Sequence, residues 1–149
     1  MTFKQVVKSH YQQLVQDRID AFQDMITALA EDSRNDAKGS AGDKHETSLA
    51  MMHIEQEKLN RKLAEFYHQK SVLDKIDPLV VNPKVAVGSL VVVNGMLVYI
   101  SAALPKAVVQ GKSVIAVSPE APLGSNMIGK QPGSEFEVNG TKYLISEVH

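Results

Sequence analysis

The pattern of apolar and polar residues changes near Pro78. From Thr2 to Ile76 the chain contains no proline, and apolar residues recur at intervals of three and four, which is typical of amphipathic helices. After Pro78 the apolar residues form short runs bounded by turn residues, which is typical of strands. We therefore expect an α+β protein, with an N-terminal antiparallel helical-hairpin coiled coil in residues 1–76 and a small antiparallel β domain in residues 77–149.

Two seams of apolar residues predict how the helices pack. In the first helix the spacing is four, three, four and three, through Val15, Ile19, Phe22, Ile26 and Leu29. Beyond a fold-back at Lys38–Gly42, a second set falls near heptad positions, namely Leu49, Met52, Leu59, Leu63, Phe66 and Leu73. Such seams form the mutual core of two helices, so we assign no ligand role to Phe22, Met52 or Phe66. Because a two-helix core is thin, stability should fall towards the turn.

The residues around the fold-back carry the clearest candidate chemistry. Gly39 and Gly42 provide backbone freedom where the first helix ends. Asp43 is a good N-cap for the second helix, and Glu46, three residues later, completes a capping box. This structural role is sufficient to explain both acids.

The same two carboxylates also suit a second role. Asp43 and Glu46 lie at a polar turn, where they can hold one edge of a hydrated Mg²⁺ that is bound mainly elsewhere. Mg²⁺ retains several waters and accepts one or two carboxylates from a protein. Asp43 and Glu46 are therefore our candidate catalytic and metal-binding residues, and the capping and metal roles are compatible.

Two Asn-Gly pairs predict hairpins in the second half of the chain. Asn94-Gly95 and Asn139-Gly140 favour type I′ turns, because Asn and Gly tolerate positive φ. Between the hairpins we expect a loop with one helical turn near Ser125–Ile128, capped by Ser118 or Ser125. The expected strands are Leu90–Val93, Met96–Ile100, Val114–Ser118, Glu135–Val138 and Thr141–Val148.

Composition excludes several kinds of site. The chain has no cysteine, which rules out a disulfide scaffold, a thiolate nucleophile and cysteine-ligated zinc. A formal net charge of -1 argues against nonspecific electrostatic binding of nucleic acid over a broad surface. The N-terminus lacks the apolar run of a secretory signal, and Asn94-Gly95 interrupts the most apolar run, Val85–Ala103. We therefore expect a soluble, cytoplasmic protein.

The segment from Ile115 to Val138 resembles a stretch of a known family. It reads IAVSPEAPLGSNMIGKQPGSEFEV and is similar to the I-S-x-x-S-P … A-L-I-G-K-x-x-G-D-x-V-x-V pattern of the Gre family of bacterial transcript-cleavage factors. The end of the chain, YLISEV from Tyr143 to Val148, resembles the closing Y-x-I-x-x-V strand of that family. The order of a helical hairpin followed by a small FKBP-like β domain also matches, so the resemblance covers nearly the full length.

The resemblance implies a function and a site. In that family a D-x-x-E pair lies at the turn of the hairpin, and here Asp43 and Glu46 fall at the equivalent place. The family inserts the hairpin into the secondary channel of bacterial RNA polymerase, where the acids help to hold the second Mg²⁺ of the active site. The polymerase itself then hydrolyses the 3′ end of backtracked RNA. By this resemblance the chain is a transcription elongation factor but not an enzyme alone. It binds no cofactor alone, is a monomer, and meets RNA and DNA only within the elongation complex.

Two alternatives remain open. The family pattern continues with N-A-E-Y after the acidic pair, whereas this chain has Thr47–Ala50 (TSLA), so it can instead be a non-cleaving regulator that occupies the same channel. A stand-alone enzyme on the β domain is the other alternative. That domain offers no convergent acid, base and nucleophile, and we expect Tyr99, Phe136 and Tyr143 in the sheet core.

Overall fold

The structure confirms the α+β class. It is a computed structural model that describes residues 1–39 and 43–149, without the side chains of residues 33, 35–39 and 43–45. Two N-terminal helices pack together and are followed by a mixed sheet. In the described ranges the elements are α1 (Phe3–Gly39), α2 (Asp43–Lys75), β1 (Leu90–Val93), β2 (Met96–Ile100), β3 (Leu104–Val109), β4 (Lys112–Val117), α3 (Pro122–Met127), β5 (Glu135–Val138) and β6 (Thr141–Val148).

The chain divides into two compact units. The first, here called the sheet unit, joins Met1–Gln13 to Ser71–His149, and the second, the hairpin unit, is Leu14–Lys70. Both helices therefore contribute residues to both units. The expected division into domains 1–76 and 77–149 stays a prediction.

The sheet contains one parallel pair, which the sequence analysis did not predict. Among the described strands the order is β3-β4-β2-β1-β6-β5. Neighbours run antiparallel except β2 and β4, where Leu97 lies opposite Val114 and Ile100 opposite Val117. The prediction of an antiparallel β domain is wrong for this pair. After β2 the chain forms β3 at the edge of the sheet and then returns as β4, which lies between β3 and β2. Strands β2 and β4 therefore run in the same direction.

The hairpin turns explain why most strand bounds were predictable and β3 was not. Asn94-Gly95 has φ of 49° and 74°, and Asn139-Gly140 has φ of 50° and 80°, which confirms both expected type I′ turns. Gln110-Gly111 has the same geometry, with φ of 50° and 78°, and joins β3 to β4. Gln is not a favoured residue for positive φ, and Pro105 lies within β3, so neither the turn nor the strand was expected.

Each face of the sheet packs on a different element. One face forms a core that includes Met127 of α3, together with Val85, Val91, Val93, Val98, Ile100 and Ile145. The other face packs on the start of α1, where the fully buried ring of Tyr11 stacks on Tyr99 at 6.2 Å between centroids. The Tyr11 hydroxyl donates a hydrogen bond to the Pro105 carbonyl oxygen at 2.8 Å. Burial raises the pKa of Tyr11 and raises the pKa of Tyr99 to about 12, so both phenols stay neutral.

Three polar side chains of α1 bind the end of α2 and the segment after it. Gln12 donates to the Asp74 carboxylate at 2.9 Å. Lys8 Nζ donates to the carbonyl oxygen of Ile76 at 2.6 Å. Lys4 Nζ donates to the carbonyl oxygen of Val80 at 2.7 Å. The two lysine bonds satisfy carbonyl groups beyond the C-terminus of α2, where a positive charge is also favoured by the helix dipole.

The short helix α3 begins earlier than expected, and its cap differs. It spans Pro122–Met127 rather than Ser125–Ile128, and its N-cap is Ala121, which makes no side-chain capping bond. Pro122 starts the helix because its fixed φ suits the first helical position. The hydroxyl of Ser118 accepts a hydrogen bond from the backbone N–H of Glu120, so Ser118 shapes the preceding turn instead of capping α3.

Gly124 is the residue of α3 that allows close packing. A Cβ at this position would lie 2.1 Å from the carbonyl oxygen of Ser118, a backbone atom that cannot move independently. Only glycine fits without displacing the helix.

Replacing Gly124 with alanine should lower the free energy of unfolding by about 1–3 kcal/mol, because the new methyl group overpacks a buried contact. Ser125→Ala is the matched control, since Ser125 is exposed in the same helix and should change stability by less than about 0.5 kcal/mol. Urea unfolding followed by circular dichroism measures both. Equal stability of the two variants would contradict this account of α3.

Candidate functional site at the helical turn

Aromatic and polar contacts join the two helices inside the hairpin unit. Phe22 meets Phe66 edge to face, with ring centroids 5.0 Å apart and an interplanar angle of 88°. Gln23 donates a hydrogen bond to the hydroxyl of Tyr67. Arg18 and Lys62 both lie 5.7 Å from the centre of the Phe66 ring. An edge-to-face aromatic pair contributes about 0.5–1.5 kcal/mol beyond its burial, so Phe66 is the main contact residue of this unit.

The helices run antiparallel, as predicted. Gln12 of α1 bonds Asp74 of α2, and ten residues later Phe22 contacts Phe66, which lies eight residues earlier in α2. Residue numbers therefore rise along one helix as they fall along the other. The expected role of Phe22 and Phe66 as helix–helix core residues is confirmed.

Burial along the seams decreases towards the turn. In the hairpin unit Val15 and Ile19 are buried on α1, and Phe66 is buried on α2. The seam positions nearer the turn are only half-buried, namely Phe22, Ile26, Leu29, Leu49, Met52, Leu59 and Leu63. Two helices alone cannot enclose a side chain on all sides, so the core thins where no third element covers it.

The candidate acids belong to the first turn of α2. This helix begins at Asp43, and Glu46 is exposed to solvent. Residues three apart on a helix share a face, with Cβ atoms about 5–6 Å apart. The N-terminus of a helix carries a partial positive charge, which stabilises carboxylates placed there. Glu46 therefore lies in the first turn of α2, three residues after Asp43.

The expected capping box lies outside the described residues. In the described residues α1 ends at Gly39 and α2 starts at Asp43, so most of the predicted fold-back at Lys38–Gly42 lies outside them. The side chain of Asp43 is not described, so its capping bond and its metal role stay predictions.

The described side chains do not form a second metal site. Within that part of the chain, no group of three or more His, Asp or Glu residues is placed to hold a metal ion. A pair of carboxylates leaves most positions of a Mg²⁺ ion open to water or to another molecule. A metal site that uses Asp43 and Glu46 stays a prediction.

The motif that carries the family resemblance has a structural role here. Ser118 and Gly124 set the close approach of α3, and the backbone N–H of Gly129 donates to the Val85 carbonyl at 2.8 Å. The N–H of Gly133 donates to the Ile145 carbonyl at 2.7 Å, which joins the end of the motif to β6. These residues therefore specify how α3 and the following loop pack on the sheet.

Sequence reasoning missed one feature of the sheet unit. A cavity there is lined by residues from the N-terminus, from the segment after α2 and from four strands, including Phe3, Lys4, Leu79, Leu90 and Lys112. These residues are far apart in the chain and follow no common spacing. The one available signal was a lysine at position 4 on the apolar side of α1, three residues before the buried Val7.

Comparisons of this chain with protein-family models, with curated proteins and with solved structures find no match. Among the described residues, helices long and apolar enough to cross a membrane are not found.

The decrease in burial predicts a gradient of backbone protection along the hairpin unit. Amide protons near Ile26 and Leu29 should exchange faster than those near Val15 and Ile19, because less packing must be broken to open the helix near the turn. Residue-resolved hydrogen exchange measures this difference. Uniform protection along α1 would show that the thin core does not set local stability.

Proposed function

We propose that this chain is a transcription elongation factor of the Gre type. In this proposal the helical hairpin enters the secondary channel of bacterial RNA polymerase, and Asp43 and Glu46 help to hold the second Mg²⁺ of the polymerase active site. The polymerase then cleaves the 3′ end of backtracked RNA. The observation that carries the proposal is an antiparallel pair of long helices, of which the second begins at Asp43 and has Glu46 in its first turn.

The lengths of the helices suit delivery of a chemical group over a distance. Helix α1 has 37 residues and α2 has 33 residues. At 1.5 Å per residue, α2 spans about 50 Å. A helix of that length with an exposed polar surface can follow a narrow, water-filled channel. Nothing in its own core requires the acids, so their value would lie in what they bring to the partner.

Two-metal hydrolysis gives the acids a defined task. One ion activates the attacking water, and the other stabilises the leaving oxygen of the displaced group. If the second ion binds weakly in the polymerase, two added carboxylates raise its occupancy. The reaction then speeds up although the chain supplies no nucleophile, general base or complete metal site. This proposal places the chain outside the enzymes and gives it no cofactor of its own.

The sheet unit would dock on the rim of the polymerase. We propose that it has an FKBP-like fold. The resemblance of the Ile115–Val138 segment supports this fold. The position of α3 supports it too, because α3 follows β4 and precedes β5 in the chain and packs closely on Ser118. The partner would be bacterial RNA polymerase in the cytoplasm, bound by one copy of the chain. RNA and DNA would be met only within the elongation complex.

A non-cleaving regulator of the same channel is the second candidate. It is favoured by the residues after Glu46, because Thr47 and Ala50 are exposed and carry no charge, and Leu49 belongs to the half-buried seam. This turn of α2 therefore presents no third acid and no aromatic side chain. With only two carboxylates, the chain can occupy the channel without holding a metal ion firmly.

A cleavage assay on backtracked complexes distinguishes the two candidates. Stalled bacterial RNA polymerase with labelled RNA is incubated with Mg²⁺, with and without the protein. The first candidate predicts shortened RNA above the rate of polymerase alone, and Glu46→Ala or Asp43→Ala should remove at least about 90% of that stimulation, since one lost ligand costs more than about 1.4 kcal/mol of metal binding.

Stability measurements separate a lost ligand from a lost cap. Asp43→Ala should cost about 0.5–2 kcal/mol if Asp43 is the N-cap. Glu55→Ala is the matched control for Glu46→Ala, because both acids are exposed on α2 but Glu55 lies about two and a half turns further along. Binding to the polymerase without cleavage would support the regulator, and absence of polymerase binding would reject both candidates.

A further inference from the structure

A cavity of about 390 Å³ lies in the sheet unit, beside the start of α1. Its wall is mostly apolar and is formed by Phe3, Leu79, Leu90, Val92 and Leu97, among others. We call it the N-terminal cavity. Its volume is within the range of about 300–1,000 Å³ that is usual for small-molecule sites, and it is too small for a helix or a folded partner.

Lys4 places a buried positive charge in this cavity. Its exposed fraction is 7%, although lysine is rarely buried without an ion-pair partner. The one hydrogen bond described for its ammonium group goes to the carbonyl oxygen of Val80, at 2.7 Å. A carbonyl oxygen is neutral, and an ammonium group has three donors. Desolvation lowers the pKa of Lys4, and the carboxylate of Asp77 opposes this effect only in part.

A second ammonium group lies at the same cavity. Lys112 Nζ is 5.1 Å from the centre of the Phe3 ring, and both residues line the wall. Glu147 and His149 also line it, with His149 Nε2 3.4 Å from a Glu147 carboxylate oxygen. That carboxylate is exposed and has His149 as a neighbour. The lining therefore has two lysines and one acid, Asp77 acts on Lys4 from outside the lining, and the more deeply buried charge of the lining is positive.

We propose that the N-terminal cavity binds a small organic carboxylate with an apolar tail. The tail would lie on the apolar wall between Phe3 and Leu97, and the carboxylate would accept hydrogen bonds from Lys4 and Lys112. A charge-assisted bond of this kind is about twice as strong as one between neutral groups, and it is stronger away from water. This inference does not depend on polymerase binding, because none of the lining residues belongs to the hairpin unit.

Lys4 also has a structural role, which the experiment must separate from ligand binding. Lys8 makes an equivalent bond one helical turn later, to the carbonyl oxygen of Ile76 at 2.6 Å, but it does not line the cavity. Lys8→Met therefore removes a comparable structural bond and leaves the cavity unchanged. It is the matched control for Lys4→Met, in which methionine keeps an apolar stem of similar length.

The probes are octanoate and octan-1-ol, which share a tail and differ in charge. Each is titrated into the ¹⁵N-labelled full chain, and amide shifts are followed by NMR. We expect octanoate to shift the amides of Leu90, Val92 and Leu97, with an affinity at least about tenfold above that of octan-1-ol, in line with a charged hydrogen bond. Lys4→Met should reduce this preference to about twofold or less, and Lys8→Met should keep it.

A second pair of variants keeps the test decisive if Lys4→Met does not fold. Lys112→Gln changes an exposed residue and should weaken octanoate binding several-fold. Lys106 is an exposed lysine of β3 outside this cavity, so Lys106→Gln should leave octanoate binding unchanged. Equal affinities for octanoate and octan-1-ol would overturn the proposal. So would shifts confined to other surfaces, or equal losses in Lys112→Gln and Lys106→Gln.

Discussion

The contact between Tyr11 and the sheet is the interaction on which the sheet unit depends. Tyr11 is fully buried, stacks on Tyr99 and donates a hydrogen bond to the Pro105 carbonyl of the edge strand β3. A buried phenol without a partner is costly, so this bond determines where α1 can lie on the sheet. Lys4 and Lys8 then bind the segment that follows α2, which brings the end of the second helix beside the start of the first.

Burial and candidate chemistry lie at opposite ends of the helices. The ends that belong to the sheet unit contribute buried residues such as Val7, Tyr11 and Leu73. Near the turn the seam residues are half-buried, and Glu46 is exposed. Apart from the predicted cap at Asp43, worth about 0.5–2 kcal/mol, folding does not depend on this exposed part of the hairpin unit. The proposed role in the polymerase channel uses this feature, because such a segment can be placed in another molecule's cavity without loss of the chain's own core.

How much the sequence could predict depends on the kind of signal. The Asn-Gly pairs and the heptad spacing are local signals, and they gave correct bounds for β1, β2, β5 and β6 and the correct seam residues. Strand β3 was missed because Gln110-Gly111 is an unusual turn pair, and without β3 the parallel pairing of β2 and β4 could not be foreseen. The candidate acids came from their spacing at the fold-back and from a family resemblance, while the N-terminal cavity depends on residues that only folding brings together.

Localised hydroxyl-radical cleavage tests the central claim most directly. When Fe²⁺ replaces Mg²⁺ in the active site of RNA polymerase, radicals form at the metal and cut polypeptide within a short distance. The account predicts that the end-labelled chain, bound to the polymerase, is cut around residues 40–46, and that excess Mg²⁺ suppresses the cuts. A bound chain that is left intact there, or is cut only in the sheet unit, would contradict the proposed delivery of Asp43 and Glu46 to the metal.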